Sequence, residues 1–190
     1  MARSIALVGK FASGKTTIAS GLRERGWQSA SFAAPLKQLA STVYNDGEPI
    51  SKDGVFLVYP DEGQGVRPIL ISGRMLLQQL GQSVKKLDQL FWVNWLLNTI
   101  DPENNTYIIE DCRFVYEAEA LRHEGFAIVR VQTPDEVRLE RYELMYGRRP
   151  NPDELNHPSE TEVDNIVADM QVDGTADVQT IINALVEEYS

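Results

Sequence analysis

One cysteine, Cys112, stands in the 190 residues, so neither an internal disulfide framework nor a cysteine-rich zinc site is available. A lone thiol suits a reducing compartment, and a cytoplasmic protein is expected. Long apolar runs are also missing. Residues 4–8 are too few for a signal-peptide core and are followed by Lys10. The most apolar later stretch, residues 87–100, is interrupted by Asp88, Asn94 and Asn98 and falls short of the ~20 residues that span a bilayer, so it reads as a core helix. No repeat or low-complexity tract is present. Basic residues are absent beyond Arg149: all 18 lie in residues 1–149, balanced there by 18 acidic ones, whereas residues 150–190 carry ten carboxylates. The net charge of −10 is therefore regional. Polynucleotide-binding surfaces are usually basic, so neither a nucleic acid polymer nor a membrane is an expected partner, while small phosphorylated ligands remain compatible.

What is present is enough for a core: 43% of the residues are hydrophobic, and a chain of this length buries roughly 70% of its unfolded surface. Strand and helix patterns alternate. Residues 4–8 predict a buried strand, residues 15–25 a helix closed by Gly26, and residues 29–32 a weak second strand. Pro35 suits the first turn of a helix reaching about Tyr44. Residues 45–68, rich in glycine and proline, read as an insertion or loop with a short strand at 55–59. Helices are expected at 73–86, where Ser72 can cap, and at 89–99. A strand at 107–110, a helix at 116–123 closed by Gly125, a strand at 126–131 and a helix from Pro134 to about Met145 follow. The remainder is a polar link at 147–158, a short capped segment, a strand near 170–172 and a helix at 176–189. This order predicts an α/β fold with a mainly parallel sheet.

Gly9-Lys10-Phe11-Ala12-Ser13-Gly14-Lys15-Thr16 fits the phosphate-loop pattern G-x-x-x-x-G-K-[ST] between a predicted strand and helix. The glycines let backbone N–H groups curl around phosphate oxygens, and the helix adds the positive end of its dipole. Gly9, Ala12, Ser13, Gly14, Lys15, Thr16 and Thr17 are thus the candidate contacts to ATP. Lys15 would reach the β- and γ-phosphates, and Thr16 would supply a hydroxyl to Mg²⁺. Hydride chemistry fits less well, because no G-x-G-x-x-G opens a helix; Gly63-Gln64-Gly65 runs into Arg67-Pro68.

The strand at 107–110 ends in Glu110, Asp111, Cys112 and Arg113. Ligands of open α/β sheets bind beyond the carboxyl ends of the strands, so Asp111 is the expected holder of Mg²⁺ through water, and Arg113 would face a phosphoryl group. A surface Asp–Arg pair is the plainer alternative. Cys112 reads as a small packed residue. At the start of the next expected anion site, Ser72 as N-cap leaves first-turn N–H groups free, and Arg74 places a cation where the helix dipole disfavours one unless an anion compensates. Gln78, one turn on, faces the same way. Lys37, shortly after Pro35, is a further candidate, with a surface lysine on a helix as the plainer reading. Arg138 and Arg141, one turn apart, with Arg148 and Arg149 beyond them, suit a lid over phosphates, unless their acidic neighbours Asp135, Glu136, Glu140 and Glu143 simply pair with them. Phe91, Trp92 and Trp95 serve either base stacking or, more commonly at this spacing, a core. Ser159 with Glu162 fits a capping box, which explains the segment around His157 without chemistry.

These blocks together resemble the phage-type deoxynucleoside monophosphate kinases of the P-loop kinase superfamily. The likeness runs through Gly9 to Thr17, Phe32-Ala-Ala-Pro-Leu-Lys37, Ser72-Gly-Arg-Met-Leu-Leu-Gln-Gln-Leu-Gly81, Phe91-Trp-Val-Asn, Asp111-Cys-Arg-Phe-Val-Tyr-Glu117-Ala-Glu-Ala and His157-Pro-Ser-Glu160. It implies a three-layer α/β/α kinase formed by the whole chain, residues 1–190, with a core sheet, an acceptor-binding region at about 33–100 and a lid at about 134–158. It further implies ATP as donor and Mg²⁺ as cofactor. Lys15, Arg113, Arg138 and Arg141 would be the catalytic residues, and Lys37, Arg74, Gln78, Arg113 and Arg148 would hold the acceptor. The partners are then small nucleotides, with a homodimer left open, in the cytoplasm of a host cell if the gene is a phage's. The insertion at 45–68 departs from the family pattern and leaves base preference open. Rival readings are a kinase for another acceptor, such as phosphomevalonate or dephospho-coenzyme A, and an NTP-driven switch, against which no Asn-Lys-x-Asp motif is found.

Overall fold

Ile5 to Val8 are apolar and buried at every position, the signature of a strand covered on both faces. The structure, a computed structural model, describes residues 3–60 and 67–190. Its first elements are β1 (Ile5–Val8), α1 (Lys15–Glu24), β2 (Gln28–Ala30), α2 (Ala33–Tyr44), β3 (Val55–Val58), β4 (Ile69–Ser72), α3 (Gly73–Leu87) and α4 (Phe91–Thr99). Then come β5 (Tyr107–Ile109), α5 (Val115–His123), β6 (Ala127–Gln132), α6 (Asp135–Tyr146), α7 (Pro152–Leu155), α8 (Pro158–Thr161), a 3-10 turn at Glu162–Asn165, β7 (Met170–Asp173) and α9 (Val178–Tyr189). The chain divides into two units: Met1–Ser31 with Ile100–Ser190, and Phe32–Thr99.

The first unit holds a five-stranded sheet of order β2-β5-β1-β6-β7 in which every pairing is parallel. Helices flank it, giving the expected three-layer α/β/α fold. Ile18 and Leu22 of α1 and Ile181, Ile182 and Leu185 of α9 cover Ile5, Leu7, Val129 and Val172 of the strands. Their spacing of three and four residues places them on one side of each helix. Helix α5 packs against β6 with Ala118 and Leu121 buried. Since β1 lies at the centre, the turn after Val8 opens in the middle of the sheet's carboxyl edge.

In the second unit β3 and β4 form an antiparallel pair with Val55 opposite Ser72. Only β3 is legible in the sequence: β4 is equally short but runs without a turn into the α3 cap at Ser72, and its pairing with β3 is what defines it. The Gly63-Gln64-Gly65 stretch lies outside the described residues. Ser72 caps α3 as expected, its Oγ accepting from the Met75 N–H at 3.2 Å. One expectation is corrected: the first-turn N–H groups of Gly73 and Arg74 are not free but donate to the carbonyls of Gly54 (2.8 Å) and Lys52 (3.0 Å). The aromatic cluster takes the core role. Trp92 is buried, its Nε1 donates to the Gly81 carbonyl at 3.3 Å, and it packs against the rings of Phe91 and Trp95.

A second correction concerns residues 157–162. Ser159 does not cap a helix; His157 does, its Nδ1 accepting from the Ser159 N–H at 3.2 Å, with Pro158 in the first turn. Pro158 fixes the helix start two residues earlier than a Ser159 cap would. The polar link before it also contains α7, started by Asn151, whose side chain accepts from the Glu154 N–H at 2.9 Å.

Candidate functional site

The loop after β1 curls through backbone conformations that few residues accept. Gly9 has φ 151° and an added Cβ would lie 2.7 Å from the Val131 carbonyl, Ala12 sits in the left-handed region at φ 55°, and Gly14 at φ 103° precedes the first residue of α1. The first N–H groups of α1 have no acceptor within the helix and face the concavity of the loop at the positive end of the dipole. Lys15 is folded back along it and is only 6% exposed. Its ammonium donates to the carbonyls of Gly9 and Lys10, each at 2.7 Å, and to Ser13 Oγ at 3.2 Å. Burial, and then the nearby Arg113 guanidinium, bring its pKa down to about 7, with Glu160 acting in the opposite direction.

Neighbouring elements fix the loop from beneath. Thr133, just past β6, donates its hydroxyl to the Ser13 carbonyl at 2.9 Å. Gly174, just past β7, fits against the same two groups: a Cβ there would meet Thr133 Oγ1 at 2.0 Å and the Ser13 carbonyl at 2.6 Å. Neither residue is marked by the sequence motif. Their signal is position, each standing directly after a strand on the edge where the loop opens.

Three arginines converge on the loop. Arg113 donates to the Gly9 carbonyl at 3.2 Å and to Glu160 at 2.9 Å. Arg138, 4% exposed, donates to the Phe11 carbonyl at 3.1 Å and to Asp135 at 2.6 Å, lies over the Phe11 ring, and keeps its buried Nε without a hydrogen-bond partner. Arg141 donates to the Gly174 carbonyl at 3.0 Å, and its guanidinium lies 3.6 Å from where a Cβ on Gly14 would stand. Arg148 and Arg149 go elsewhere. Arg148 grips Glu154 through two bonds of 2.7 Å, holding that half-buried carboxyl down to about 2, and Arg149 pairs with Glu143 at 3.0 Å. The expected lid arginines thus split into a pair on the phosphate loop and a pair on surface carboxylates.

Beyond β5, the acidic pair lies level with the start of the loop, because β5 and β1 are paired in register. Asp111 accepts from Ser31 Oγ at 2.6 Å, and Glu110 keeps one buried carboxylate oxygen with no hydrogen-bond partner. Thr16 is exposed in the first turn of α1. An all-oxygen set of a hydroxyl and carboxylates, one oxygen of which is buried and unsatisfied, fits Mg²⁺ completed by water and phosphate. Among the described residues there is no cluster of three or more His, Cys, Asp or Glu side chains to form a closed cage. Cys112 is fully buried and its thiol is pushed up by burial, as a packed residue should be.

The other sequence candidates belong to the second unit. Lys37 is exposed on α2, and Arg74 and Gln78 are exposed one turn apart on α3. Glu160, from α8, is the largest omission of the sequence reading: its buried carboxylate accepts from the Phe11 N–H at 2.7 Å.

A parallel sheet of this order, with a G-x-x-x-x-G-K-T loop after its central strand, is the fold of the P-loop kinases. The chain belongs to the AAA domain family, whose model it matches over residues 5–162. That span takes in the loop, Arg113, Arg138, Arg141 and Glu160. Its fold is similar to that of shikimate kinase from Aquifex aeolicus, at 17% identity and a TM-score of 0.56 over 97% of this chain and 94% of that one. A sugar kinase from a Janibacter species is similar at 17% identity and a TM-score of 0.53, over 98% and 94% of the two chains. A gluconokinase from Sinorhizobium meliloti gives 15% and 0.53, over 98% and 93%. No curated protein matches the sequence significantly.

Proposed function

We propose that the protein is a small-molecule kinase that moves the γ-phosphoryl group of ATP to the phosphate of a (deoxy)nucleoside monophosphate, yielding two diphosphates. The observation that carries the reading is the meeting of Lys15, Arg113, Arg138 and Arg141 around one phosphate loop. Four cations exceed what one triphosphate on a switch protein needs and suit a second anionic substrate. The acceptor class is supported by the Ser72-Gly73-Arg74, Asp111-Cys112-Arg113-Phe114 and His157-Pro-Ser-Glu160 blocks, which resemble those of the phage-type kinases.

In this reading the amides of Gly9 and residues 12–17 cradle the donor phosphates, and Lys15 turns from the Gly9 and Lys10 carbonyls to the β- and γ-oxygens. Thr16 and Asp111, with Glu110 beside them, would hold Mg²⁺, which would supply positive charge to offset that of the phosphates. The acceptor oxygen is already anionic, so no strong general base is needed. Alignment and spread positive charge then supply the rate. Arg113, Arg138 and Arg141 face the transferred group. Lys37, Arg74 and Gln78 hold the acceptor, and Arg148 would exchange the Glu154 carboxylate for a phosphate as residues 134–158 close.

The similar folds include shikimate, sugar and gluconate kinases by name, so the second reading is an alcohol acceptor. An ADP-release assay over deoxynucleoside monophosphates, phosphomevalonate, dephospho-coenzyme A, shikimate and gluconate separates the two.

A further inference from the structure

The 157–160 block takes no part in the mechanism above, yet its last residue reaches the phosphate loop. Pro158 and the His157 cap start α8 so that Glu160 points inward and is 7% exposed. One carboxylate oxygen accepts from the Phe11 N–H at 2.7 Å, and the other from Arg113 Nη1 at 2.9 Å. That same nitrogen donates to the Gly9 carbonyl at 3.2 Å. A single side chain, remote in sequence, therefore joins the tip of the loop to the arginine at the end of β5. Phe11 precedes residues 12–17, whose amides are assigned to phosphate, so Glu160 braces the loop without occupying the cradle. The 3-10 turn that follows adds a second tie, Asp164 to Lys10 at 2.8 Å.

We propose that Glu160 is a positioning residue of the phosphate site, which holds the loop at Phe11 and aims the Arg113 guanidinium at the transferred group. Its catalytic half rests on the kinase reading; the brace on the loop stands without it. The two partners ask for different things. The Phe11 N–H needs any acceptor, whereas Arg113 needs a charge, so Glu160→Gln keeps the first bond and loses the second.

The test compares wild type, Glu160→Gln, Glu160→Ala, Arg113→Ala and the Glu160→Ala/Arg113→Ala pair in the full chain. Four readouts are taken: kcat and KM for ATP with the best acceptor of the panel, Mg·ADP affinity by calorimetry, and hydrogen exchange at the Phe11 amide. Glu160→Ala is expected to lower kcat roughly 100-fold while KM for ATP moves far less. The double variant should be no slower than Arg113→Ala alone, since the two act as a unit. Exchange at Phe11 should rise about tenfold in Glu160→Ala and stay at the wild-type rate in Glu160→Gln, which loses kcat nonetheless. A near-normal kcat per folded molecule in both Glu160 variants, or losses at 160 and 113 that multiply, overturns the proposal. Should Glu160→Ala fail to fold, Glu160→Gln decides by the same kcat comparison. If the wild type phosphorylates no acceptor, the kinase reading fails. Faster Phe11 exchange with weaker Mg·ADP binding in Glu160→Ala then upholds the brace, and unchanged values overturn it.

Discussion

The Thr133 hydroxyl donates to the carbonyl of Ser13 at 2.9 Å, across 120 residues of sequence. Through this bond the end of β6 supports the floor of the phosphate loop, and Gly174 fills the remaining space so closely that no side chain fits beside the pair. The loop is therefore shaped by two strand ends as well as by its own glycines.

Gly174→Ala tests that support. Its methyl group would press on Thr133 Oγ1 and on the Ser13 backbone, which is not a flexible side-chain end that can move aside. Denaturant unfolding should show a loss of roughly 1–3 kcal/mol, and calorimetry should show weakened Mg·ADP binding. Wild-type stability and affinity together would contradict the packing described.

Lys15→Ala removes the cation at the centre of the loop. Its hydrogen bonds go only to loop acceptors, so the core under α1 is untouched. Phosphoryl transfer should fall by at least about 100-fold, with the circular dichroism spectrum and melting transition retained. A fully active variant would sink the assignment.

Protonation of Lys15 gives an independent readout. In the free protein its pKa is lowered to about 7, chiefly by burial. The folded pKa lies below the unfolded value, so the charged amine costs stability below about pH 7, and this cost fades as pH rises toward the unfolded pKa. Bound phosphates favour the charged form. Near pH 8 nucleotide binding should thus take up more protons in wild type than in Lys15→Met, and near pH 6 the difference should shrink. Calorimetry in buffers of different ionisation enthalpy measures it. Equal uptake at both pH values would contradict the account.

Arg74→Ala separates the two substrates. Arg74 stands exposed at the start of α3 in the second unit, with Gln78 one turn on. The KM for the acceptor should rise roughly tenfold or more, while ATP affinity stays near normal. A change confined to ATP would contradict the acceptor role proposed for Arg74.

Local chemistry explains what was readable in the sequence. Gly9, Gly14, Lys15 and Thr16 fall within one eight-residue motif, and the alternation of short apolar strands with helices specifies a parallel sheet. Features that depend on distant partners were not readable. The strand Ile69–Ser72 is defined by its pairing with Val55–Val58. The free N–H groups expected at Gly73 and Arg74 are taken by carbonyls 19 and 22 residues earlier, at Gly54 and Lys52. Glu160 looked like part of a helix start because its partners, Phe11 and Arg113, lie 149 and 47 residues away. Four similar arginines on and after α6 could not be sorted from sequence; Arg138 and Arg141 face the loop because α6 presents that side to it, whereas Glu154 and Glu143 take Arg148 and Arg149.

The most direct test of the central claim follows the γ-phosphate itself. ATP labelled at that position is incubated with Mg²⁺, the protein and each deoxynucleoside monophosphate in turn, and the products are separated. Label should move to a deoxynucleoside diphosphate, in step with ADP, and only with acceptor present. Label that passes to shikimate, gluconate or another alcohol instead, or that is released as inorganic phosphate without any acceptor, would contradict it.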